Sequence, residues 1–145
     1  MLSQPNESEA ISHHIARAKR AYRPTARMKG NMNGKTIREL AVELTVETTA
    51  VCENIKGKSV FVNQLLRACS SIGANAHEAK YAQSRADFVN KTEIALKESY
   101  ETEYWFEILF KIGALDGTVY EKLNGKCGTI RRKLIASIKT AKGIS

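Results

Sequence analysis

The sequence predicts an all-α protein, a single antiparallel up-down-up-down four-helix bundle preceded by a basic N-terminal extension. Three observations predict it. Both prolines, Pro5 and Pro24, lie in the first quarter of the 145 residues, so the backbone from Lys35 onward is free to run through long helices. Four successive apolar stripes then recur at three- and four-residue spacing, the period of a helix with one buried face. The connections between stripes are short, about three to five residues, which makes neighbouring helices antiparallel. A 43% hydrophobic and 26% charged composition suits one domain with a real core, and the boundary is expected between an extension over 1–35 and a bundle over 36–145.

In the extension, Ser8 to Tyr22 could place Ile11, Ile15 and Ala18 on one side of a helix. Arg23-Pro24 stops that helix, and "RMKGNMNGK" after it reads as linker. The first bundle helix starts near Thr36 and carries Ile37, Leu40, Ala41, Leu44, Thr48, Val51, Cys52 and Ile55, ending at Lys56-Gly57-Lys58. The second carries Val62, Leu65, Leu66, Cys69, Ile72, Gly73, Ala76 and Ala79, and loses bulk through "SSIGANAHEA". Small side chains there permit close approach of another backbone, and Asn75 and Glu78 need hydrogen-bond partners if that approach buries them. Arg67 is a candidate partner.

The third helix begins at the capping residue Ser84, with Asp87 three positions on, and runs to Gly113. Phe88, Thr92, Ala95, Ser99, Thr102, Phe106, Leu109 and Gly113 form one face, small and polar in the middle. Ile94, Trp105, Ile108 and Ile112 form a second ridge on another side, more than an isolated bundle needs, which suggests a subunit interface. Asp116 can cap the fourth helix, which continues through Tyr120, Leu123, Cys127, Ile130, Leu134, Ile138 and Ala141. Gly125 and Gly128 inside it suggest a close approach or a bend.

The formal charge is +8, and it is unevenly spread. Residues 1–35 hold seven Lys or Arg against Glu7 and Glu9, and residues 116–142 hold seven against Asp116 and Glu121. Basic charge at both ends of a chain is the footprint of a nucleic-acid or acidic-partner binder. Candidate phosphate contacts are Lys126, Arg131, Arg132, Lys133, Lys139 and Lys142, with Arg17, Lys19, Arg20, Arg23 and Arg27 in the extension resting on charge alone. No aromatic interleaves the basic run of the fourth helix, so base stacking is not indicated.

Catalytic, metal and cofactor chemistry find no support. Di-iron bundles need Glu-x-x-His pairs, and His13, His14 and His77 are none of them three residues after a glutamate. His77 and Glu78 are adjacent and diverge by about 100° on a helix. Glu98, Glu101 and Glu103 are dense, but no nucleophile, base or phosphate loop accompanies them, so Glu101 is expected to meet basic groups or amides on a facing helix. Cys52, Cys69 and Cys127 lie far apart on apolar stripes and read as small buried hydrophobes. No apolar run approaches a membrane span and no signal-peptide core is present, so a cytoplasmic location is expected.

The chain resembles a known family. Ser71, Ile72, Asn75 and Glu78, then Ser84 and Phe88, then Ile94-Ala95-Leu96 and the run Glu98 to Trp105 closing at Gly113, are similar to the bacterial four-helix-bundle proteins encoded within intervening sequences of large-subunit ribosomal RNA genes. The resemblance covers about residues 40–139, and where Gly73 stands the family often has proline. It implies a homopentamer around a central channel, with Ile94, Glu101, Trp105, Ile108, Ile112, Asn75 and Glu78 as candidate interface residues. The chain is also similar to the accessory variability protein of diversity-generating retroelements, which implies a reverse transcriptase and RNA or DNA as partners. The function expected is therefore that of a non-enzymatic nucleic-acid adaptor, the alternative being a protein-only interaction module.

Overall fold

The computed structural model describes Asn6, Glu9 and residues 34–144, and apart from Glu9 the helix and linker expected before residue 34 lie outside the described residues. Four helices follow, α1 (Ile37–Cys52), α2 (Ser59–Ala79), α3 (Arg85–Lys111) and α4 (Gly117–Lys142). Three of the four starts are fixed by side chains that satisfy first-turn amides. Thr36 accepts from the Glu39 amide while the Glu39 carboxylate accepts from the Thr36 amide, a reciprocal capping box that the sequence reading did not anticipate. Ser84 accepts from the Asp87 amide, but Asp87 reaches back to the amide of Gln83. Asp116 accepts from Thr118 and Val119.

The helices close in a ring, α1 on α2, α2 on α3, α3 on α4, and α4 back on α1. Cross-helix pairs give the directions. Between α2 and α3, Glu78 meets Lys91 and Arg67 meets Glu98 and Glu101, whereas Phe61 faces Trp105. Partner numbers rise on one helix as they fall on the other, which defines antiparallel neighbours. Lys142–Glu93, Arg131–Glu103 and Tyr120–Phe110 give the same result for α3 and α4.

The core is formed by the four predicted stripes. Leu40, Leu44, Val51, Leu65, Ile72, Phe106, Leu109, Leu123, Ile130 and Leu134 are all at most 1% exposed. The α3 face is small and polar in its middle, and its hydroxyls are satisfied within the helix: Thr92 donates to the Phe88 carbonyl, Ser99 to Leu96 and Thr102 to Glu98. Helix α1 ends at Cys52, earlier than periodicity suggested, and Ile55 still packs on the core from the connection, where Gly57 adopts φ 73°.

The close approach anticipated in "SSIGANAHEA" is specific to one residue. Helix α2 runs unbroken through Gly73, where an added Cβ would lie 3.2 Å from the Ala41 Cβ of α1. The two α4 glycines differ from expectation. Nothing lies within 4 Å of a Cβ built at Gly125, and at Gly128 the nearest atoms are the ends of Arg132 and Arg131 at ordinary contact distance. Neither marks a close helix approach.

Candidate nucleic-acid interface

The antiparallel ring assembles one end of the bundle from the start of α1, the end of α2, the start of α3 and the end of α4. Gly73 against Ala41, Glu78 on Lys91 and Lys142 on Glu93 tie these segments to one another. Arg38, Lys80, Arg85 and Lys139 are exposed on them and form no ion pair with a carboxylate among the described residues, whereas Arg132, also exposed, sits mid-way along α4. Regions far apart in sequence thus contribute cations to one end of the bundle. Of these residues, Arg38, Lys80 and Arg85 were not singled out in the sequence, because each is an isolated charge in its own segment.

The basic run of α4 has a divided fate. Lys126 is 7% exposed and its ammonium lies 3.1 Å from Glu43 and 3.0 Å from Glu47, so it is a buried ion-pair partner and not a phosphate contact. The reason is register: Glu43 and Glu47 are one turn apart on α1 and face Lys122 and Lys126, one turn apart on α4. Lys35 extends the network to Glu43 at 2.6 Å and Lys122 lies 3.9 Å from Glu47. Burial works against the charge of Glu43, but hydrogen bonds from Lys35 and Lys126 outweigh it and hold the carboxyl below its ordinary value.

Arg131 is half-buried, 2.6 Å from Glu103, with its guanidinium over the Tyr100 ring. Lys142 pairs with Glu93 at 2.6 Å, Arg132 donates to Thr129, and Lys133 is half-buried. The candidates Arg17, Lys19, Arg20, Arg23 and Arg27 lie outside the described residues.

The residues expected at a subunit contact are similarly divided. Glu101 binds Arg67 and accepts from the Trp105 indole at 3.2 Å, and these two bonds hold its carboxyl below the usual range. Trp105 is half-buried against the core and Phe61. Ile94 and Ile108 are half-buried, and Ile112 is 44% exposed. Asn75 donates to the carbonyl and hydroxyl of Ser71 on its own helix, and Glu78 is exposed and pairs with Lys91. Neither reaches Arg67, because the α2–α3 register puts Arg67 opposite Glu98 and Glu101. The outer side of α3 instead presents Tyr100 and Tyr104, 52% and 53% exposed, which the sequence reading passed over. Their spacing of four on the side opposite Ala95, Thr102 and Phe106 was the available signal.

Burial pushes the thiols of Cys52 and Cys127 up to about 12 and that of Cys69 to about 11, so all three stay protonated and unreactive at neutral pH. Among the described residues no group of three or more His, Cys, Asp or Glu could hold a metal ion, and no helix is long and apolar enough to cross a membrane.

Fold and surface together define an antiparallel four-helix-bundle protein with a cationic end and an aromatic outer ridge. Residues 35–136 match the model of the 23S rRNA-intervening sequence protein family, and the chain belongs to that family. A solved structure from Bacteroides thetaiotaomicron, described as a protein of unknown function from the S23 ribosomal protein family, is 39% identical and superposes with a TM-score of 0.68. The alignment covers 72% of this chain and 99% of that one. No curated protein matches the chain.

Proposed function

We propose that this protein is a non-enzymatic nucleic-acid binder that contacts phosphates with the cationic end of its bundle. One observation carries the reading: Arg38, Lys80, Arg85 and Lys139 lie at one end of the antiparallel bundle, exposed and with no carboxylate paired to them among the described residues. Cations buried in ion pairs stabilise the fold, whereas exposed unpaired cations on one surface are the ones available to displace counterions from a phosphate backbone.

Self-assembly, as a homopentamer by the family resemblance, would repeat this end and add weak contacts through effective concentration. The outer α3 ridge of Tyr100, Tyr104, Ile108 and Ile112 is the surface that supports association. A reverse transcriptase as partner, and a cytoplasmic setting, rest on resemblance and sequence reading alone. The same exposed ridge favours a second reading, a protein-only interaction module.

The test is the salt dependence of binding. With labelled duplex nucleic acid, the logarithm of affinity should fall steeply with the logarithm of salt concentration, and the Arg85→Ala, Lys139→Ala double variant should reduce the slope by about 2. Absence of binding at low salt by the folded protein would overturn the nucleic-acid reading in favour of the protein module.

A further inference from the structure

The cationic end also carries an aromatic group that phosphate binding does not use. Tyr81 follows α2 and is 69% exposed, and its ring meets His77 edge-on with centroids 5.3 Å apart. The backbone holds this corner, since the Tyr81 amide donates to the Glu78 carbonyl at 2.9 Å and the Lys80 amide to the His77 carbonyl at 3.2 Å. Lys80 precedes Tyr81 and Arg85 opens the next helix, both exposed.

His77 and Arg38 line a groove of about 280 Å³ between α1 and α2. Its floor is shallow and apolar because Gly73 and Ala41 approach so closely, and Val42 and Ala74 flank it. An exposed ring, an apolar groove and unpaired cations therefore adjoin.

We propose that this corner recognises unpaired nucleotides, with Tyr81 as a stacking platform held by His77, the groove taking an adjoining base, and Arg38 and Lys80 facing the phosphates. The inference rests on the reading of the cationic end as a nucleic-acid surface, and it names the class of nucleic acid bound. In a duplex the base faces are hidden in the stack, so an aromatic platform adds nothing beyond what the cations supply. In a single strand or loop those faces are open, and each stacks on an aromatic ring regardless of sequence. The charge matches as well, since the aromatic corner is bordered by Arg38, Lys80 and Arg85, and of the carboxylates beside it Glu78 is paired with Lys91 while Asp87 accepts from the Gln83 amide.

The experiment measures affinities of the full chain for a short unpaired RNA oligonucleotide and for the RNA duplex of the same sequence, at low salt. The wild type should favour the unpaired strand. Tyr81→Ala should weaken binding of the unpaired strand about 5- to 100-fold and leave the duplex within about twofold, while Tyr81→Phe keeps the preference. Because Tyr81 is so exposed, its removal should leave the helical circular dichroism and unfolding midpoint unchanged, and both serve as controls. A Tyr81→Ala variant that binds the two forms as the wild type does, or that loses both equally, overturns the stacking role while leaving the cationic end in place. A wild type that binds neither form overturns the cationic end itself, and this inference with it.

Discussion

Lys126 and Arg132 carry the same formal charge six residues apart on one helix, yet their surroundings give them opposite roles. Lys126 sits between two α1 glutamates, where removing the ammonium would leave two carboxylates crowded at a buried seam. Lys126→Ala is expected to cost about 3 kcal/mol of unfolding free energy, whereas Arg132→Ala should stay within about 0.5 kcal/mol. Urea unfolding of the two variants checks the difference, and equal midpoints would contradict the buried network. Caps at Ser84 and Asp116 were legible in the sequence because the donor and acceptor are neighbours in the chain. The partners of Lys126 were not, because Glu43 and Glu47 lie 83 and 79 residues away.

Helical periodicity located all four elements, and the core stripes emerged almost residue for residue because burying one face leaves a mark at every turn. Glycines inside helices show where local reading stops. Gly125 is exposed with nothing within 4 Å of a built Cβ, whereas a Cβ built at Gly73 would already lie 3.2 Å from the Ala41 Cβ. Gly125→Ala should therefore stabilise the protein by about 0.5–1 kcal/mol, through lower backbone entropy of the unfolded chain and better helix propensity. Gly73→Val should destabilise it by about 1–3 kcal/mol, because a branched side chain must force α1 and α2 apart. Thermal unfolding of both variants tests this, and a stabilised Gly73→Val would mean that the two helices separate easily.

At the scale of the whole molecule, the outer α3 ridge combines Tyr100, Tyr104 and Ile112, each more than 40% exposed on the single chain. Apolar and aromatic surface of that kind is usually covered by another protein surface. Sedimentation should find a species several times the 16.1 kDa chain mass, and a Tyr104→Glu, Ile112→Glu double variant should shift it to the single-chain mass with helix content retained. A wild type that sediments as a single chain would leave the ridge to a different protein partner. Glu101 and Trp105, which the sequence suggested for this contact, are largely engaged within the chain by Arg67 and Phe61.

The sequence by itself determined the helices, the caps at Ser84 and Asp116, the buried stripes and the concentration of basic charge at the two ends of the chain. These properties are written in local spacing and composition, which one chain displays in full. Only the tertiary structure decided which charges neutralise one another across the α1–α4 seam, and which remain exposed beside Tyr81. Those outcomes depend on the register of antiparallel helices, where a shift of one turn exchanges every partner, and register is set by packing over the whole bundle.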